Sequence, residues 1–229
     1  MRGSLAIIRL LALAVSAFSS EGVICSPEEG AALFSAISDS DCAALGSMFD
    51  DGADVSVRDE IGATPLMRAL EKDLSCSCVR TLLQAGADPN ATHGSADISV
   101  LMVAAAYSTA EIVSLLLESG AEAQFSTSDG WTALMSAARN SSRPAVIREL
   151  VADGAKIDAQ DRYGVTPLMR AAQTNPNPEI VETLLRLGAD ATIETPDGHT
   201  AYDLAKGAGR GAEFLAPLAP GRPEGGSPD

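Results

Sequence analysis

Apolar residues return along the chain at helical spacing, broken at regular intervals by Gly, Thr and Pro. In Thr64-Pro65-Leu66-Met67-Arg68-Ala69 the threonine is a cap and the proline fills a first turn that needs no N–H from it. Leu66, Met67 and Ala69 then fall on one face. The same frame returns at Ser99-Val100-Leu101-Met102, Thr132-Ala133-Leu134-Met135, Thr166-Pro167-Leu168-Met169 and Thr200-Ala201-Tyr202-Asp203. A second helix is predicted after each of the first four frames, containing Leu82-Leu83, Leu116-Leu117, Leu150-Val151 or Leu184-Leu185. It ends at Gly-Ala, where glycine is free to take a left-handed C-cap. Pro144, Pro176 and Pro178 keep the two helices of a unit from merging. Gly62, Gly130, Gly164 and Gly198 predict a tight turn before each threonine.

These signals share one ruler. Gly52, Gly86, Gly120, Gly154 and Gly188 each begin a Gly-Ala pair and lie 34 residues apart. TPLMRA, spelled twice from Thr64 and Thr166, is therefore one position of a unit read three periods apart. A helix, a return helix and a hairpin-like loop cannot bury their apolar faces alone; stacked copies can. The loop Asn90–Ser99 has an extra residue and Asp97 in place of the turn glycine, and is predicted to be the least regular.

The frame resembles the ankyrin repeat, whose signature contains T-P-L-H-x-A followed by a Leu pair and Gly-Ala. The resemblance covers about residues 28–217, with two departures. Methionine (Met67, Met102, Met135, Met169) replaces the signature histidine, and three units carry one residue more than the family's unit of about 33. It implies an all-α fold, a solenoid of helix–turn–helix units with hairpin-like loops. Six units are expected, four full and two terminal. Ala31–Ala36 mimics the frame without its cap, and Asp203 puts a polar residue where the final unit has no neighbour. The expected layout is a leader at 1–19, a short segment at 20–27, the repeat domain at 28–216 and a disordered tail at 217–229.

Composition agrees with close-packed helices: 46% of the residues are hydrophobic and only 4% aromatic, so Ala, Leu and Ser do the packing. The formal charge of −15 and a pI near 4.4 exclude electrostatic attraction to nucleic acid or anionic membrane. Arg2 and Arg9 precede the apolar run Leu10–Phe18, which is short for a bilayer span and is followed by small residues. This describes a secretory leader cleaved after Ser19, or after Ala17, in an exported protein of bacterial type, periplasmic or secreted. The alternatives are a cytoplasmic protein or an uncleaved N-terminal anchor.

No catalytic constellation is readable. His93 and His199 sit in separate loops, and neither a G-x-S-x-G elbow nor a phosphate-binding P-loop occurs. Equivalent methionines on neighbouring helices stand about 8–10 Å apart, too far to share a soft metal ion. No cofactor, metal or enzymatic activity is expected; a hydrolase or metal-handling protein is the alternative class, without a motif. Cys42 and Cys76 are equivalent positions, and a disulfide is expected from Cys42 to Cys76 or Cys78, with the partner of Cys25 open. Four reduced thiols are the cytosolic alternative.

The resemblance also implies where a partner binds: along the concave face, on hairpin tips and the exposed side of the inner helices. By position, four and seven residues after each cap, this selects Arg68, Glu71, Val103, Ser136, Arg139, Arg170 and Gln173, with Tyr107 one place further along its helix. At the tips it selects Trp131 and Tyr163, with Ile61 and His199 beside them. Trp131 either projects from its tip or folds back onto the neighbouring hairpin. The expected role is a monomeric adaptor for another protein; the alternative is an inhibitor or immunity-type protein that blocks an exported enzyme.

Overall fold

The computed structural model describes residues 27–219. The expected leader, Cys25 and the tail from residue 220 onward lie outside them. The described residues form twelve helices: α1 (Pro27–Ser38), α2 (Cys42–Asp50), α3 (Pro65–Glu71), α4 (Cys76–Gln84), α5 (Val100–Tyr107), α6 (Ala110–Glu118), α7 (Ala133–Asn140), α8 (Pro144–Ala152), α9 (Pro167–Thr174), α10 (Pro178–Arg186), α11 (Ala201–Gly207) and α12 (Ala212–Leu218). Odd-numbered helices pack side by side in one layer and even-numbered helices in a second. This gives six helix pairs. Among the described residues no helix is long and apolar enough to cross a membrane.

Each inner helix from α3 to α11 starts as its sequence dictates. The side chains of Thr64, Ser99, Thr132, Thr166 and Thr200 accept a hydrogen bond from the backbone N–H three residues on. In α3 to α9 that third residue is methionine, and Met67, Met102, Met135 and Met169 are all buried. They line one interior together with Leu66, Leu101, Leu134 and Leu168, and alanines keep the helices close. In α11 the third residue is Asp203, whose carboxylate accepts from both the N–H and the hydroxyl of Thr200. A residue with no following inner helix to pack against thus completes a reciprocal cap.

The second helices end in the predicted way. The Gly-Ala glycines have φ between 91° and 95°, and the alanine N–H after each reaches back to a helical carbonyl, as Ala155 does to Leu150 at 2.9 Å. The hairpins that follow are tight: Gly62, Gly130, Gly164 and Gly198 each donate to the carbonyl three residues earlier. Asp97 takes the glycine's left-handed role with φ 53°. Its loop, expected to be the least regular, instead holds the one paired two-stranded ladder among the described residues. β1 (Thr92–His93) and β2 (Ile98–Ser99) lie antiparallel in it, and the extra residue is taken up in the four-residue turn between His93 and Ile98. At the far end, α12 runs through Pro217 to the buried Leu218, two residues past the expected end of the domain.

Two ladders tie the units together outside the core. Asn175 is fully buried and donates to the carbonyls of Ala138 and Ser141 in the preceding unit, at 2.8 and 2.9 Å. Arg143 reaches the carbonyls of Tyr107 and Ser108 and the carboxylate of Asp73. On the hairpin side, Asn90 donates to Gly120 O and accepts from Glu122 N. At the N-terminal end a disulfide joins Cys42 at the start of α2 to Cys78 in α4, with 5.0 Å between their α-carbons. Of the two expected partners Cys78 is the one used: it faces inward and is fully buried, while Cys76 is half-buried and has no disulfide partner among the described residues.

Candidate functional site

The hairpin tips and the inner helices are joined by an arrangement of aspartate, turn and arginine. Asp59 and Asp161 stand three residues before their turn glycines. One carboxylate oxygen of each closes the hairpin: Asp59 accepts from Ile61 N and Ala63 N at 3.0 and 2.9 Å, and Asp161 from Tyr163 N and Val165 N at 2.9 and 3.0 Å. The other oxygen takes the arginine nine residues on. Arg68 Nε lies 2.6 Å from Asp59, and Arg170 pairs with Asp161. Where the hairpin residue is Thr127 or Thr195 a single hydroxyl oxygen closes the turn, and the arginine position holds Ser136 or Leu204. Burial pushes the Asp59 carboxyl up, but the Arg68 hydrogen bond, the N–H groups of Ala63 and Ile61 and the Arg68 charge together hold it below its ordinary value. Hydrogen bonds to Glu71 and then Asp59 push the Arg68 guanidinium higher still.

One cluster stands out on this surface. The indole N–H of Trp131 donates to Ser136 Oγ at 2.7 Å, and Ser136 is itself 5% exposed. That bond fixes the ring against α7 instead of letting it project. Two guanidiniums lie against it: Arg170 from α9, 5.0 Å from the ring centroid, and Arg139 from α7 at 5.9 Å. Arg170 is neutralised by Asp161. Arg139 is exposed, and no carboxylate among the described residues lies within salt-bridge distance of it. Beside the cluster, Arg162 bridges to Asp129 at 2.6 Å and lies over the ring of Tyr163.

The ten residues selected by position therefore divide. Trp131, Ser136, Arg139 and Arg170 come together, drawn from two adjacent units. Arg68 and Glu71 form a separate group with Asp59, at the edge of a groove of about 740 Å³ between α1 and the first hairpin, lined by Phe34, Ile37, Val57 and Ile61. Tyr107 and Tyr163 are exposed, Gln173 is half-buried, and Val103 joins the core instead of the surface. Position alone missed Asp59 and Asp161, although the nine-residue spacing to arginine occurs in both units that spell TPLMRA and was readable there. Among the described residues no group of three His, Cys, Asp or Glu side chains could hold a metal ion.

Comparison with known proteins gives two matches in phase with this architecture. A family model described as ankyrin repeats (3 copies) matches residues 101–195, and one described as ankyrin repeat matches residues 61–94. No curated protein matches the chain.

Proposed function

The chain belongs to the ankyrin-repeat family, whose repeats are generic protein–protein interaction modules, and from that premise we propose that it is a non-enzymatic adaptor that binds a partner protein through its concave face. The carrying observation is the Trp131 cluster. Tryptophan and arginine are the side chains that most often dominate binding energy, and here both are held in place before any partner arrives. A surface already ordered by Ser136 and Asp161 loses little side-chain entropy on binding. The cluster sits at the junction of α7 and α9, inside the stack, where hairpin tips and inner helices can be contacted together.

The adaptor works in an oxidising compartment outside the cytoplasm. The N-terminal leader pattern supports this, and so does the Cys42–Cys78 bridge. Affinity capture from the exported fraction tests the whole reading, comparing the wild type with Trp131→Ala/Arg139→Gln. One protein is expected to be retained by the wild type and lost by the variant, with far-UV circular dichroism unchanged. An identical set of captured proteins for both would contradict it. Loss of the captured protein's own activity on binding would assign the adaptor a blocking role.

A further inference from the structure

We propose that the partner reaches the Trp131 cluster with a single carboxylate, set beside an apolar or aromatic side chain, and that Arg139 receives it. The inference rests on the concave-face reading and adds the chemistry of what is bound. Of the three arginines on the inner helices, Arg68 is engaged by Asp59 and Glu71 and Arg170 by Asp161, whereas Arg139 has no carboxylate within salt-bridge distance among the described residues. Arg139 lies over the Trp131 ring at 5.9 Å from its centroid. A guanidinium held beside a ring and bound to no carboxylate keeps N–H groups for a planar carboxylate, which can take two of them at once. Trp131 shields one side of that pair from water, which strengthens it relative to a fully solvated one.

The same site argues against a long acidic tract. The chain carries a formal charge of −15, and the cations around Arg139 are already spent: Arg162 on Asp129 and Arg170 on Asp161. Several adjacent carboxylates would meet one open cation inside a repelling field. One carboxylate next to an apolar side chain matches one open guanidinium next to an indole.

Trp131 is the chain's one tryptophan, so its fluorescence reports on this site alone. Random dodecapeptides are selected on the full-length protein, and the best binders are titrated by Trp131 fluorescence. Each is also made with its carboxylate replaced by the amide, and each form is measured on wild type, Arg139→Gln and Arg139→Lys. The expected result is a carboxylate beside an apolar residue in the selected peptides. The amide form and Arg139→Gln should each weaken binding by about tenfold or more, without adding to one another, and Arg139→Lys should recover only part. Peptides that change Trp131 fluorescence but bind Arg139→Gln equally well, or bind equally as amides, overturn this inference and leave the concave-face reading standing. If no selected peptide perturbs Trp131 or loses affinity on Trp131→Ala, both fall. Circular dichroism of Arg139→Gln is expected to match the wild type because the side chain is exposed.

Discussion

Two oxygens on one carboxylate do different work at Asp59 and Asp161: one closes a hairpin and the other holds an arginine. The Asp161 side chain is 4% exposed and its partner Arg170 is 20% exposed, whereas Asp129 and Arg162 are both more than half exposed. Urea denaturation is therefore expected to show Asp161→Asn less stable by about 1–3 kcal/mol, because a half-buried guanidinium loses its counter-charge. Asp129→Asn should cost less than about 1 kcal/mol. Asp59 adds a pH dependence. Its folded value lies below the ordinary 3.8, so its stabilisation is fully present above 3.8 and disappears as pH falls through the lower folded value. Melting temperatures measured from pH 5 down to about 2.5 should fall less steeply at the acid end for Asp59→Asn than for the wild type. Arg68, Arg139 and Arg170 were legible as surface positions because they fall four or seven residues after the capping threonine of their units. Which of them is already occupied was not, since that depends on a carboxylate folded back from a hairpin.

Between elements, side chains that reach into the previous unit add hydrogen bonds to the helix packing. Asn175 reads in sequence as a turn residue among prolines, and the reading of that stretch as a break between helices holds. Its second role, donating to Ala138 O and Ser141 O from a fully buried position, depends on the neighbouring turn and has no local signature. Asn175→Ala leaves two buried carbonyls without those donors and is expected to destabilise the fold by about 1–3 kcal/mol, seen as a lower urea midpoint. Gly164 is a second element-scale constraint: its φ is 71°, and a Cβ there would come within 2.7 Å of Pro196 Cδ in the next hairpin. Caps, turn glycines and the methionine column were all readable, because a repeat shows each local rule several times in the same frame. The regular ladder in the Asn90–Ser99 loop ran against expectation, since the extra residue is absorbed in the turn while Thr92 pairs with Ser99 as Ser126 does with Thr132 in the next unit.

Across the whole molecule each unit is held by its neighbours, and the ends are held least. The Cys42–Cys78 bridge ties the first unit, which lacks the threonine cap, to the second. Closing a separation of 36 residues corresponds to about 4 kcal/mol in the chain-entropy account. Cys42→Ser/Cys78→Ser should therefore speed hydrogen exchange in α1 to α4 far more than in α7 to α10. The repeated unit was readable from the 34-residue ruler. The cluster at Trp131 did not, because it joins residues whose proximity exists only once two units are stacked. The central claim is that this stacking presents a finished binding surface in the free protein. Its most direct test is nitrogen-15 NMR of the single indole N–H. Protection by Ser136 predicts one sharp indole resonance that exchanges slowly with solvent in the unbound protein and exchanges faster in Ser136→Ala without loss of helicity. A wild-type indole that exchanges as fast as free tryptophan, or gives several resonances, would contradict a preformed site.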